Sequence, residues 1–353
     1  MTTGTPIHGG RCLLIGIPGT EWTPALAHRV RALEPAGLIL FRRNLAHPGQ
    51  TRTLLADFCT LVPGPRILAL DQEGGRVSRL EPWIGPTPTA ERLAAAGLEV
   101  TSGFATATGR ALRALGFNLD FAPVVDLSDP DAPNGIGPRA FGTDPARVSL
   151  HARAFLEALH AEGVAGCLKH FPGLGDTRVD SHHELPFVGR DRTELEADLR
   201  PYRDLGPLAP VVMVGHGHYP ALDHDPSRPA SCSVAVVQDL LRGALGYDGL
   251  VATDDLEMGA VVPRDAGGAA AVEALGAGCD LLPYCSDLDR AERARAAIDR
   301  GVRSSAPLAA RLDESVERIE RFARTWSVPS SAGVDDARWA AACAGFAPFR
   351  SLA

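Results

Sequence analysis

The sequence predicts a single α/β domain built as a (β/α)8 barrel of the TIM type, and three observations support this fold class. Eight short apolar runs recur along the chain, as expected for parallel strands that are covered on both faces. Amphipathic stretches separate them, and several end at a glycine, such as Gly116, Gly163 and Gly246, where helices commonly end. No G-x-G-x-x-G motif follows the first run, so a doubly wound open sheet is the less favoured alternative.

The elements follow one another as strand and helix along the chain. The predicted strands are CLLIGI (12–17), GLILF (37–41), RILAL (66–70), FNLDFAPVV (117–125), GVAGCLKH (163–170), PVVMVGH (210–216), GLVAT (249–253) and CDLLPY (279–284). Helices are predicted over 90–116, 146–163 and 233–246, with a last helix over 308–326. The barrel is therefore assigned to residues 1–326. The tail, 327–353, is expected to pack on the barrel or to be partly disordered.

Composition excludes several classes of function. The chain has 353 residues and a net charge of -8, and it contains no basic block, so nucleic acid is not an expected partner. Seven scattered cysteines without a C-x-x-C motif indicate a reducing compartment rather than a disulfide framework or structural zinc. We expect no signal peptide, no membrane span and a cytoplasmic location, because the N-terminal segment lacks a basic stretch followed by a long apolar one.

Polar side chains follow six of the predicted strands, at the ends where barrel enzymes place their active sites. These residues are Arg42, Arg43, Asn44, Asp71, Glu73, Arg76, Arg79, Asp126, Lys169, His170, His216, Asp254 and Asp255. Asp254 follows its strand directly, which favours a functional role. Six polar strand ends together predict a site at this end of the barrel.

Most of these residues also have a structural interpretation. Asp71 and Asp255 have the residue type that starts helices. Glu73 or Arg76 could form an ion pair at the rim. Asp126 could hold the loop that follows it, and His216 could be a satisfied core histidine.

The stretch GDTRVDSHHELP (175–186) permits three hypotheses. Asp180, His182 and His183, with His170, His216 or His218, have the residue types of a metal site, although the first strand lacks the H-x-H pair common in metal-dependent barrel hydrolases. Alternatively, Asp180 and His182 form a proton-transfer pair, since a carboxylate orients an imidazole that titrates near neutrality. The third hypothesis is a polar surface loop.

Seven motifs in the chain together resemble one known family. They are DQEGGRVSRL, FNLDFAPVVDL, GPRAFG, CLKHFPGLGDTRVDSHHELP, VVMVGH, RPASCS and YDGLVATDDLEM. In this order they resemble the family 3 glycoside hydrolases, above all the single-domain bacterial β-N-acetylglucosaminidases (β-hexosaminidases) of peptidoglycan recycling.

The resemblance implies a retaining exo-β-N-acetylglucosaminidase that releases terminal N-acetylglucosamine from muropeptides. Asp254 would be the nucleophile, His182 the acid/base, and Asp180 the carboxylate that polarises His182. The resemblance also implies a set of sugar-binding residues and no cofactor or metal. The sugar-binding residues are Asp71, Arg79, Arg139, Lys169 and His170. We expect a monomer or weak dimer that acts on a small carbohydrate.

The chain departs from the family pattern at Leu174, where a histidine is usual, and at Pro138, where an acidic residue is common. His183 directly follows His182, but the D-S-H spacing favours His182. The alternatives are a phosphorylase, another family 3 exo-β-glycosidase such as a β-glucosidase or β-xylosidase, a metal-dependent barrel hydrolase and, least favoured, a non-catalytic sugar-binding protein.

Overall fold

Eight parallel strands form the barrel that the sequence predicts. The computed structural model describes residues 8–64, 66–128, 135–175, 177, 184–328 and 336–353. The barrel strands are β1 (Leu13–Ile15), β2 (Gly37–Ile39), β3 (Ile67–Leu70), β6 (Leu119–Asp120), β7 (Ala165–Phe171), β8 (Val211–Val214), β9 (Leu250–Thr253) and β10 (Leu282–Tyr284). They pair in the order β10-β1-β2-β3-β6-β7-β8-β9, and a parallel bridge between Ala252 and Leu281 joins the two ends.

A short antiparallel hairpin interrupts this alternation after β3. It consists of β4 (Gln72–Gly74) and β5 (Val77–Ser78). The Asp120 carboxylate accepts the main-chain N–H of Gln72 at 2.9 Å, which holds the start of the hairpin against the barrel. The sequence predicts no strands here, because the segment is polar and short.

Helices surround the barrel, and several of them begin after a residue whose side chain caps free N–H groups. They are α1 (Pro24–Leu33), α2 (Pro48–Leu61), α3 (Glu81–Ile84), α4 (Ala90–Ala96), α5 (Leu98–Leu115), α6 (Pro145–Ala161), α7 (Arg192–Leu205), α8 (Ala269–Ala277), α9 (Leu288–Ser304), α10 (Ala306–Thr325) and α11 (Asp336–Ala344). Thr23 and Asp144 accept N–H groups of the first turns of α1 and α6, and each precedes a proline. These signals start the helices where the barrel loops end.

The apolar runs become strands because both of their faces are covered. All residues of β1, β2, β3, β7, β8, β9 and β10 are buried. Side chains on one face fill the barrel, and those on the other pack under the helices.

Two predicted helices and the tail differ in detail from the expectation. The predicted helix over 90–116 is two helices, because Gly97 has a φ of 108° and ends α4. The segment predicted as a helix over 233–246 contains a π-helix, Ala235–Ala244. The tail, for which the sequence predicts no helix, contains α11, and Phe346 and Phe349 pack edge-on against Phe104 of α5.

Within the described ranges, no helix combines the length and the apolar character that crossing a membrane requires.

Candidate active site

A cavity of about 320 Å³ lies at the carboxyl ends of the barrel strands. Its wall contains six of the eight predicted site residues, namely Asp71, Arg79, Arg139, Lys169, His170 and Asp254. The other two, Asp180 and His182, lie outside the described residues. Thr177 and Pro186, which are described on either side of that segment, also line the cavity. The barrel thus brings together residues that are far apart in the sequence.

Asp254 directly follows β9, and its main-chain N–H donates to the carbonyl of Val214 at 2.9 Å. One carboxylate oxygen, Oδ1, accepts the N–H of Asp255 at 2.8 Å. Burial alone would raise the pKa of this carboxyl, but the imidazoles of His170 and His216 and the same N–H group lower it below its usual value. Asp254 is therefore an ionised carboxylate in the cavity wall, as a nucleophile must be.

Glu73 is a buried carboxylate that binds two of the predicted sugar-binding cations. Its oxygens accept Nε and Nη2 of Arg139, each at 2.8 Å, and Oε1 lies 2.6 Å from Nζ of Lys169. Burial raises the pKa of Glu73, but the charges of Lys169 and Arg139 bring it below its usual range. Glu73 is only 7% exposed, so its ion pair is buried and does not lie at the rim, which corrects that interpretation. The sequence signal for including Glu73 in the site was its spacing of two residues from Asp71. This spacing puts both side chains on one face of an extended segment.

Asp71 forms the second carboxylate contact of Lys169. Its Oδ1 accepts from Nζ of Lys169 at 3.0 Å, and its Oδ2 lies 3.8 Å from Nη2 of Arg79. Burial would lower the pKa of Lys169, but Glu73 and Asp71 raise it above its usual value. Asp71 precedes β4, so the helix-start interpretation is wrong for this residue. The Lys169 ammonium has three hydrogens, and these two contacts with described residues leave one of them.

Arg79 lies beside an aromatic ring. Its guanidinium carbon is 5.8 Å from the centre of the Phe41 ring, within the range of a cation–π contact. Among the described residues, no hydrogen-bond partner is present for the buried Nε of Arg79.

Asp126 orients His170, and its partners among the described residues lie in and after β7 rather than in the loop that follows Asp126. Its Oδ2 lies 2.7 Å from Nδ1 of His170, and its Oδ1 accepts the N–H of Leu174 at 2.7 Å. Since Asp126 is 1% exposed, this bond fixes the ring, and Nε2 is the nitrogen left for the cavity. The Leu174 side chain belongs to a small apolar cluster with Val124, Ile136 and Ala140.

Two further strand-end residues have structural partners. Asp255 starts a turn rather than a helix, and its Oδ1 accepts the N–H groups of Glu257 at 3.0 Å and Cys285 at 3.4 Å. Arg76 is exposed, and its Nη2 contacts the carbonyl of Gly135. Both residues line the cavity.

In the part of the chain that the structure describes, no group of three or more His, Cys, Asp and Glu side chains is arranged to hold a metal ion. Asp180, His182 and His183, on which the metal hypothesis depends, lie outside that part.

Comparison with known proteins identifies the family of the chain. The family model described as "Glycosyl hydrolase family 3 N terminal domain" matches residues 18–322. A beta-hexosaminidase of Pseudomonas aeruginosa (strain LESB58) is 40% identical over 295 residues, which cover 82% of this chain and 86% of that protein. One from Bordetella parapertussis is 38% identical over 330 residues, which cover 90% of this chain and 89% of that protein.

Solved structures give the same result. A family 3 β-N-acetylglucosaminidase from Paenibacillus sp. str. FPU-7 superposes with a TM-score of 0.85 and 34% identity, covering 94% of this chain and 66% of that one. A β-N-acetylhexosaminidase from Beutenbergia cavernae gives 0.82 and 29%, covering 89% of this chain and 97% of that one. The predicted family and the predicted barrel are confirmed. The chain therefore belongs to glycosyl hydrolase family 3 and is a glycoside hydrolase.

Proposed function

We propose that this enzyme is a retaining exo-β-N-acetylglucosaminidase that releases terminal β-linked N-acetylglucosamine from peptidoglycan-derived muropeptides. The observation that carries the proposal is the ionised Asp254 carboxylate in one cavity with a cluster of buried charges, Asp71, Lys169 and Arg139. The names of the related proteins support an N-acetylhexosamine as the sugar. A volume of about 320 Å³ is at the lower end for small-molecule sites, which suits one terminal sugar.

In the first step, Asp254 attacks the anomeric carbon. Its Oδ1 is held by the Asp255 N–H, so Oδ2 is the oxygen that forms the new bond. The bond from the anomeric carbon to the leaving oxygen breaks, and that oxygen receives a proton from His182. This step gives a glycosyl-enzyme ester.

In the second step, His182 takes a proton from water, and the water oxygen displaces Asp254 from the anomeric carbon. Two inversions retain the β configuration. Asp180 would polarise His182 through both steps. This assignment rests on the D-S-H motif and on the described neighbours Thr177 and Pro186, which line the cavity.

The charged residues would recognise the sugar hydroxyls and the N-acetyl group. Asp71 accepts hydroxyl hydrogens, and Lys169 uses its remaining N–H. Arg79, which lines the cavity, donates through its guanidinium N–H groups. Arg139, held by Glu73, and Nε2 of His170, held by Asp126, present fixed polar groups.

The cytoplasm is the proposed location of the enzyme. All seven cysteines are unpaired, which is consistent with a reducing compartment. We further propose that the enzyme acts as a monomer or weak dimer.

The test is the release of 4-nitrophenol from its β-N-acetylglucosaminide. Asp254→Asn is expected to lower kcat by roughly 10³-fold or more. The matched control, Asp239→Asn, changes an exposed carboxylate on the π-helix and should leave the rate unchanged. Absence of release by the wild type, or full activity of Asp254→Asn, would contradict the proposal. Release of sugar 1-phosphate that depends on added phosphate would instead identify a phosphorylase.

A further inference from the structure

His216 is a fully buried imidazole close to the nucleophile, and both of its ring nitrogens have partners. It lies two residues after β8. Nδ1 is 2.8 Å from Oγ of Ser231, and Nε2 is 3.0 Å from the main-chain oxygen of Asp255. Ser231 is also fully buried. The cavity wall, as far as it is described, does not include either side chain.

The direction of these hydrogen bonds follows from the chemistry of the groups. A carbonyl oxygen can only accept, so Nε2 of His216 carries a hydrogen. Burial lowers the pKa of His216 below its usual value, which makes the ring neutral at neutral pH. Nδ1 then has a lone pair and accepts the hydroxyl hydrogen of Ser231. The bond to Ser231 thus selects the tautomer that can donate to Asp255.

Asp255 connects this pair to the nucleophile. Its N–H donates to Oδ1 of Asp254 at 2.8 Å, and its own carboxylate accepts the N–H of Cys285 at 3.4 Å. The main-chain carbonyl of Asp255 is therefore held by His216 on the β8 side, and its side chain is held by Cys285 on the β10 side.

We infer that His216 and Ser231 form a positioning pair that fixes the Asp255 main chain and thereby orients the Asp254 carboxylate. This inference rests on the nucleophile assigned in the proposed function. Neither side chain is a catalytic residue, since neither lines the described cavity wall. A histidine with only a packing role would need hydrogen-bond partners for its ring nitrogens, but any two groups would serve. Here the acceptor belongs to the residue that binds the carboxylate oxygen of the nucleophile.

Orientation matters because only one oxygen of Asp254 can attack. The Asp255 N–H occupies Oδ1 and leaves Oδ2 for the anomeric carbon. A displacement of about 1 Å at a reacting group can reduce the rate roughly 10²-fold. Without His216, the Asp255 carbonyl could rotate, and the adjacent N–H would no longer hold Oδ1.

The chain contains a matched pair for comparison. His151 on α6 is 5% exposed, and its Nδ1 lies 2.8 Å from Oγ1 of Thr101 on α5. This is also a buried histidine bonded to a hydroxyl, but it lies between two outer helices. Substitutions of His151 therefore measure the general cost of removing a buried imidazole.

The experiment compares His216→Gln with His216→Asn, because a Gln amide reaches the position of Nε2 and an Asn amide reaches that of Nδ1. His216→Gln keeps the donor to Asp255 and is expected to retain kcat within about fivefold. His216→Asn loses that donor, so kcat should fall roughly 10²-fold while the Kd of N-acetylglucosamine stays within about twofold. Ser231→Ala should give an intermediate loss, and His151→Asn should leave kcat unchanged.

A second measurement does not require turnover. The Asp254 carboxyl is titrated by carbon NMR, with Asp254→Asn to assign the signal. The other surrounding groups, His170 and Lys169 on β7 and the Asp255 carboxyl, are unchanged in these variants. Both variants lose the His216 imidazole, which itself lowers the pKa of Asp254, so the two variants are compared with each other. Loss of the Asp255 N–H bond destabilises the carboxylate, so the pKa of Asp254 should be higher in His216→Asn than in His216→Gln by about half a unit or more.

The two measurements separate the two proposals. A wild type that is inactive on the aryl glycoside would refute the proposed function, and the Asp254 titration would still decide whether His216 orients this carboxylate. Equal kcat and equal Asp254 pKa in His216→Asn and His216→Gln would overturn the positioning pair. Equal losses of kcat in His216→Asn and His151→Asn would also overturn it.

Discussion

Glu73 and Arg139 form a bidentate ion pair in the cavity wall, with two N–O distances of 2.8 Å and with Lys169 on the same carboxylate. Breaking a buried pair leaves an uncompensated charge, which costs about 3–5 kcal/mol. Glu73→Gln should therefore lower the free energy of unfolding by about 3 kcal/mol and raise KM more than it lowers kcat. Urea unfolding and steady-state kinetics measure both effects.

The control for this change is Glu162→Gln, since Glu162 forms a more exposed pair with Arg110 at 3.0 Å. That variant should lose less than about 1 kcal/mol. An equally small loss in Glu73→Gln would contradict the proposed role of its buried charge.

Asp255 should make stability depend on pH. Burial, with the charge of Glu257, raises its pKa to about 7. Between the usual carboxyl pKa and 7, the folded state keeps a proton that the unfolded state has released. The wild type should therefore lose stability as the pH rises through this window, relative to Asp255→Asn.

We expect the difference in unfolding free energy between wild type and Asp255→Asn to change by at least about 1 kcal/mol from pH 5 to pH 8. Urea unfolding at both pH values checks this, and Asp239→Asn is the reference. A difference that does not vary with pH would show that the Asp255 carboxyl is not perturbed.

Leu174 has a packing role where the family usually has histidine. Its side chain is 5% exposed and packs with Val124, Ile136 and Ala140. Leu174→His would bury an imidazole in this apolar cluster and should cost about 2 kcal/mol. Thermal unfolding measures the effect. Leu150→His, at a position that is 55% exposed, should have almost no effect. No loss in Leu174→His would mean that the site accepts the usual family residue.

The role of His182 predicts a dependence on the leaving group. His182→Ala should slow the release of poor leaving groups much more than that of 2,4-dinitrophenol, because only the poor ones need protonation. Asp180→Asn should show the same trend with a smaller loss. Equal slowing for all leaving groups would argue against an acid role.

The sequence by itself determined the barrel and the chemistry at its strand ends. Continuous apolar runs such as 249–253 must be covered on both faces, and a polar residue directly after such a run, Asp254, must lie at the strand end. Patterns of this kind can be recognised within a short stretch of sequence, without knowing which distant residues the stretch contacts. The family motifs added the prediction of the sugar-binding residues.

Only the tertiary structure decided which buried groups meet. Glu73 bonds Arg139, 66 residues away, and Asp126 bonds His170, 44 residues away. These pairs depend on strand register and barrel closure, which have no local signature. For the same reason, His216 could be recognised as a buried histidine, but its bond to the residue beside the nucleophile could not be predicted. The hydrogen bond exists because β8 and β9 are adjacent, and adjacency is a property of the closed sheet.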